Sequence, residues 1–154
     1  MSTTAKKPVR VLGIIGLVAG LAMIVVGGAT WGVVTSQLND QRITVSADAP
    51  FLAGTTVNNP LSAYAQAQII EEHTMKITSG KTYAELDRED PLRTTAQQGA
   101  FLRASLFTSV IAYGVAALVI GMGVLVAGNG YALTRIATGA KVDAKVEENT
   151  LATV

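Results

Sequence analysis

The sequence predicts a mainly α membrane protein: a two-span transmembrane helical hairpin with a small α+β extracytoplasmic domain between the spans. Three observations carry this. Val11 to Val34 is a run of 24 residues with no charged side chain, Ala104 to Thr134 is a second charge-free run, and most of the acids lie between them. At ~1.5 Å per residue the first run makes roughly 36 Å of helix, enough to cross a ~30 Å hydrocarbon core with some tilt. Hydrophobic residues make up 49% of the 154 residues and charged ones only 15%, a balance unusual for a soluble domain of this length.

The segments follow in order: residues 1–10 as a cytoplasmic N-terminus, 11–34 as the first transmembrane helix, 35–103 as the extracytoplasmic domain with the start of a long helix, 104–134 as the second transmembrane helix, and 135–154 as a disordered cytoplasmic tail. A cleaved signal peptide is the competing reading of the first run. Its flank is basic and Gly27-Gly28-Ala29 has the small residues of a cleavage site. However, the apolar stretch is longer than the ~7–15 residues of a signal core, which favours an uncleaved anchor. Orientation follows from Lys and Arg at the span ends. Lys6, Lys7 and Arg10 precede the first span and only Arg42 follows it closely. Arg135, Lys141 and Lys145 follow the second span, against Arg103 abutting its other end. Both termini are therefore expected in the cytoplasm of a multi-pass plasma-membrane protein, with residues 35–103 outside.

Within the connecting segment, residues 42–47 alternate in polarity and predict a strand, with a second near Thr55 to Val57. Asn59-Pro60 supplies a helix cap and a first-position proline. Ala63, Ala67, Ile70, Thr74 and Ile77 then recur at helical period until Ser79-Gly80. Thr82 to Glu85 has capping-box spacing and predicts a short helical turn. Asp90-Pro91 opens a helix that meets no later proline and runs through the second span, with Gly99 as its weak point.

Glycines form the most regular pattern. Gly13, Gly20 and Gly27 stand seven apart in the first span, with Gly16 and Gly32 adding GxxxG spacings to Gly20 and Gly28. Gly114, Gly121 and Gly128 stand seven apart in the second. Small residues on one face let helix backbones approach in lipid, where burial of apolar surface gives little drive. A seven-residue period keeps such a seam on its partner as helices supercoil. Paired antiparallel, Gly13 with Gly128, Gly20 with Gly121 and Gly27 with Gly114 each add to 141, so the two ladders are predicted to face one another.

Candidate chemistry is sparse. The single histidine, His73, lies beside Glu71 and Glu72, but the second histidine of a helical zinc pair is missing; a solvated helix face is the expectation. Glu85, Asp87, Glu89 and Asp90 lack the spacing and glycine of a calcium loop, and local ion pairing with Arg88 and Arg93 is expected instead. There is no cysteine, which removes thiolate nucleophiles and Cys-type metal sites. Neither span holds an ionisable residue that would serve a proton relay. A net charge of +1 provides no footprint for nucleic acid. Trp31, Tyr113 and Tyr131 lie near span ends, as interfacial anchors do. No catalytic, cofactor-binding or metal-ligating residue is assigned and no cofactor is expected.

Four stretches carry a family resemblance: Thr30 to Ser36, Asp48 to Gly54, Gly80 to Pro91 and Ala100 to Ser109. They resemble segments of a family of small two-span actinobacterial membrane proteins, over most of residues 9 to 128. Members are often designated the small subunit of an aromatic ring-opening dioxygenase, which would imply an iron-binding catalytic partner. The resemblance implies the two-span topology and transfers no functional residue. The expectation for function is a non-enzymatic accessory or scaffolding protein of the membrane. Its partners would be the lipid bilayer together with a membrane or envelope protein, or further copies of itself. The alternative is a subunit that supplies helices to a membrane enzyme or transporter complex.

Overall fold

The computed structural model describes residues 3–151, with the side chains of residues 7–138. Three helices account for most of it: α1, Thr3–Asp40; α2, Pro60–Ile77; and α3, Arg93–Leu151. Stretches of α1 (Lys7–Asp40) and α3 (Arg93–Thr138) are long and apolar enough to cross a membrane, each reaching a mean hydropathy of 2.5. Contacts divide the chain into two compact units, one of residues Met1–Gly28 with Ala117–Val154 and one of residues Ala29–Ala116.

In the first unit, two apolar helical stretches pack along glycines. α3 does not end with the apolar run at Thr134 but continues to Leu151, where a disordered tail is expected from Arg135. The reason is composition: residues 135–151 contain no proline and are rich in Ala, Lys and Glu, all strong helix formers. Residues 152–154 lie outside the described residues.

The second unit has its own core. Leu38, Val45, Val57, Ala63, Ala67, Ile69, Leu106 and Tyr113 are buried together. α2 starts where its cap predicts: the Asn59 side chain accepts from the Leu61 and Ser62 amides, and Ser62 Oγ accepts from the Asn59 amide. It ends at Thr78, after which Ser79 and Gly80 take positive φ and the Gly80 amide returns to Met75 O at 2.7 Å. That left-handed exit is what glycine at a helix C-terminus permits.

The expected α+β domain is not present; this part of the chain is helix and loop. Among the described residues there is no strand, only an isolated antiparallel bridge between Thr44 and Thr56. Three backbone bonds hold it: Val45 N to Thr55 O, Gly54 N to Val45 O and Val57 N to Ile43 O, each 2.9 Å. The pairing stops there because Pro50 has no amide donor and Leu52 and Gly54 adopt left-handed φ. The segment instead lies on α2, with the Ser46 amide donating to Gln66 Oε1 at 3.0 Å. Val45 and Val57 share one buried core with Ala65 and Ile69, which together with Ser62 are buried in addition to the predicted stripe of Ala63 and Ala67. Ile77, expected in that stripe, is exposed.

Candidate functional site

The helix seam is a contact of backbone on backbone. A Cβ placed on Gly20 would stand 2.5 Å from Gly123 O and overlap the Ala127 amide; one on Gly123 would stand 2.7 Å from Gly20 O. One on Gly13 would stand 2.8 Å from Gly130 O. Gly130 in turn allows no Cβ against the Leu17 amide. Gly13, Gly20 and Gly27 are all buried, as the first ladder requires. Gly114, Gly121 and Gly128 are not on this seam. They are exposed, and nothing lies within 4 Å of a Cβ added to any of the three.

The face that α3 buries is Ala116, Gly123, Gly130 and Ala137, another ladder of seven-residue steps. Close approaches therefore join positions adding to 143, as in Gly20–Gly123, to 146, as in Gly16–Gly130, or to 147, as in Gly20–Ala127, rather than 141. Two residues along a helix rotate the face by roughly 200°, so the expected rungs point away from their partner. A signal for the correct phase was present in the sequence. One step beyond either end, the 114 ladder reaches Phe107 and Arg135, while the 116 ladder reaches Ser109 and Ala144.

In the second unit, polar groups are paired across elements and along α2. His73 Nε2 lies 2.6 Å from Asp48 Oδ2, not with its neighbours Glu71 and Glu72. Glu72 pairs with Lys76 at 2.7 Å, and Glu71 with Arg103 Nη2 at 2.6 Å. The hydrogen bond from His73 holds the Asp48 carboxyl below the ordinary carboxylate range. No group of three or more potential metal ligands occurs among the described residues.

The acidic run behaves differently from expectation. Glu85 Oε2 accepts from both the amide and the hydroxyl of Thr82, at 2.8 Å each, closing a turn with no helix behind it. Those bonds lower the Glu85 carboxyl pKa, the amide contributing most. Asp90 Oδ1 accepts from the Leu92 amide at 2.8 Å just before α3. Arg93 does not pair with these acids; it stacks 4.1 Å over the Tyr83 ring and donates to Leu86 O.

Of the three presumed anchors, Trp31 and Tyr131 are partly or largely exposed, but Tyr113 is 1% exposed and belongs to the core. Its hydroxyl donates to Asn58 O at 3.0 Å and lies 2.7 Å from Thr35 Oγ1, which then donates to it. Trp31 meets its ring edge-on at 4.7 Å. A buried tyrosine needs such partners for its hydroxyl, and they come from positions 55 and 78 residues away, which no local pattern reveals. Gly99, expected to weaken α3, is instead where α3 crosses α2: a Cβ there would overlap Thr74 Oγ1.

Comparison with protein-family models, with curated proteins and with solved structures finds no match.

Proposed function

We propose that the chain is a non-enzymatic two-span protein of the plasma membrane. Both termini would be cytoplasmic and residues 35–103 extracytoplasmic, serving as an accessory or scaffolding component that contacts another envelope protein. The carrying observation is the surface of the second unit. Phe51, Leu52, Leu61 and Tyr64 are exposed by 40%, 39%, 66% and 38%. They are neighbours, with Phe51 and Tyr64 rings 6.4 Å apart and Tyr64 packed edge-on against Phe107 at 5.9 Å. Adjoining exposed aromatic and aliphatic groups on a small folded unit suit protein recognition. The polar groups nearby are engaged with each other, as His73–Asp48 and Glu71–Arg103, which fits a scaffold better than an active site.

A second reading has its own support. The unoccupied Gly114, Gly121 and Gly128 face would accept a foreign helix at short distance, as in a subunit that supplies helices to a larger complex. Affinity purification from detergent-solubilised membranes, with Phe51→Ser/Tyr64→Ser as the control, separates the two. Envelope proteins recovered by the parent and lost with that variant are expected. A stoichiometric enzyme or transporter that survives it, and is lost with Gly121→Leu, would establish the second reading instead.

A further inference from the structure

Charge is sorted along the length of α2. Residues 49–70, which make the loop before α2 and its first turns, contain no charged side chain. Asp48 bounds this stretch on one side, and Glu71, Glu72, His73 and Lys76 follow on the other. Only 60–70 of it is helical, roughly 16 Å at ~1.5 Å per residue, too short to cross a bilayer. Its place beside α3 is fixed by contacts within the second unit. Asn58 O accepts from Tyr113, the Tyr64 ring meets Phe107, Glu71 pairs with Arg103, and Thr74 faces Gly99. α2 therefore runs antiparallel to α3. Its uncharged start lies against residues 107–113, inside the charge-free run, and its charged end lies against 99–103, before that run begins.

Depth follows from length. A hydrocarbon core takes about 20 helical residues, whereas the run 104–134 has 31. Arg135 closes that run and lies 5.7 Å over the Tyr131 ring. Counted back from Thr134, about 20 residues end at Val115. Counted forward from Val11, the same length ends at Thr30. Both counts stop beside Trp31 and Tyr113, whose rings meet edge-on at 4.7 Å, and tryptophan is a residue of membrane interfaces. The boundary of the hydrocarbon is thus at this pair, and the start of α2, bonded to Tyr113 through Asn58, is immediately outside it.

The side chains exposed at that level are apolar: Leu61 and Tyr64 on α2, Phe51 and Leu52 on the loop, Ile111 and Val115 on α3. Leu52 has φ 55°, a region uncommon for residues other than glycine. The amide and hydroxyl of Thr55 both donate to Leu52 O, so the loop is held in this strained form with its large apolar groups outward.

We propose that the Phe51, Leu52, Leu61 and Tyr64 patch is seated in the headgroup layer of the leaflet on its own side, as a lipid-contacting foot beside the two spans. That layer extends roughly 5–7 Å beyond the hydrocarbon, and apolar faces of interfacial helices are buried at this depth. The Tyr64 hydroxyl, bonded by Gln68 Nε2 at 2.6 Å, would stay among polar groups there. The proposal rests on the two-span reading above, and it sets the depth at which an envelope partner would meet the patch.

The chain has no cysteine, so single cysteines carrying an environment-sensitive fluorophore report depth. Leu61→Cys, Leu21→Cys and Ile77→Cys are each reconstituted as the full chain in phosphatidylethanolamine–phosphatidylglycerol vesicles with no other protein. Leu21 lies midway along the first span, and Ile77 is exposed at the charged end of α2. The quenchers are spin-labelled lipids, shallow or deep, and iodide on both faces of the membrane. The Leu21 probe should respond to the deep label, the Leu61 probe to the shallow one with loss of iodide quenching, and the Ile77 probe to iodide alone. Phe51→Ser with Leu52→Ser should raise iodide quenching of the Leu61 probe, with circular dichroism checking that helical content is kept. A Leu61 probe as open to iodide as the Ile77 probe, with Leu21 deep, would overturn the lipid seat and leave the patch to a protein partner. A Leu61 probe unmoved by the two serines would overturn the part given to the loop. A Leu21 probe open to iodide would overturn the two-span reading itself, and this proposal with it.

Discussion

At the scale of single residues, the second unit owes its order to side chains that reach far along the chain. His73 bonds Asp48, Arg103 bonds Glu71, and Tyr113 bonds both Asn58 and Thr35. Each joins a loop or helix to another element and so fixes how they pack. The Asp48–His73 pair makes a definite acid prediction. The Asp48 carboxyl is depressed from its ordinary 3.8 when folded, chiefly by the His73 hydrogen bond. Its contribution is therefore present above the unfolded pKa and is lost as pH falls through the folded one. Carboxyl titration by NMR should place the Asp48 midpoint below 3.8 in the parent and return it toward 3.8 in His73→Ala. Acid unfolding of the 43–57 segment should begin at a higher pH in the variant. A midpoint unmoved by the substitution would show that the exposed pair is broken in solution, as surface pairs often are.

At the scale of helices, phase matters more than period. Both seven-residue ladders of α3 have the spacing of a seam, but only the one through Gly123 and Gly130 meets α1. Gly123→Leu should therefore disrupt the pairing of α1 with α3, because a side chain there meets Gly20 O, Met23 and Ile24. Gly121→Leu should be tolerated, since only open space surrounds it. Thermal unfolding in micelles, followed by circular dichroism, measures the contrast. A cysteine-free background permits a second measurement. A Cβ on Gly123 would stand 3.0 Å from Met23 Cβ, about half an ångström short of the ~3.5–4.5 Å range of a disulfide, so a slight parting of the helices admits the bridge. Met23→Cys with Gly123→Cys should crosslink in membranes, and Met23→Cys with Gly121→Cys should not. The reverse would restore the 141 register.

At the scale of the whole molecule, two features together define the proposed topology: the pair of apolar helices, and the basic residues Lys6, Lys7 and Arg10 before the first of them. Reporter fusions at Val154 and after Gly54 should report opposite compartments, with the Val154 fusion cytoplasmic. Phosphatase activity outside the cell from a fusion at Val154 would overturn the hairpin. The unequal apolar runs of α1 and α3 have a local explanation in the second unit. Along residues 99–113, α3 is covered by α2 and the loop before it, through Gly99–Thr74, Arg103–Glu71 and Tyr113–Asn58. Part of its apolar surface is thereby consumed by protein rather than being free for lipid.

Some of this was determined by the sequence alone. Charge-free length set the two apolar helices, because a run of that kind has one stable solution in hydrocarbon, with its backbone bonds satisfied internally. Asn59-Pro60 and Ser79-Gly80 set the limits of α2, because caps act on their own neighbours. A glycine ladder on α1 was legible for the same reason. Tertiary structure decided the rest. The register of α1 against α3 depended on which ladder met a partner backbone; the seven-residue spacing is the same in both, and only the residues flanking each ladder carried a sign of the phase. The loop beside α2 lost its strands because burial of Val45 and Val57 in a core shared with Ala65 and Ile69, with the bond from Ser46 to Gln66, satisfied its apolar and polar groups better than a short two-stranded ribbon, marginal in isolation. Tyr113 became core, and Gly99 a crossing point, through residues distant in sequence, and only folding brought those residues within reach.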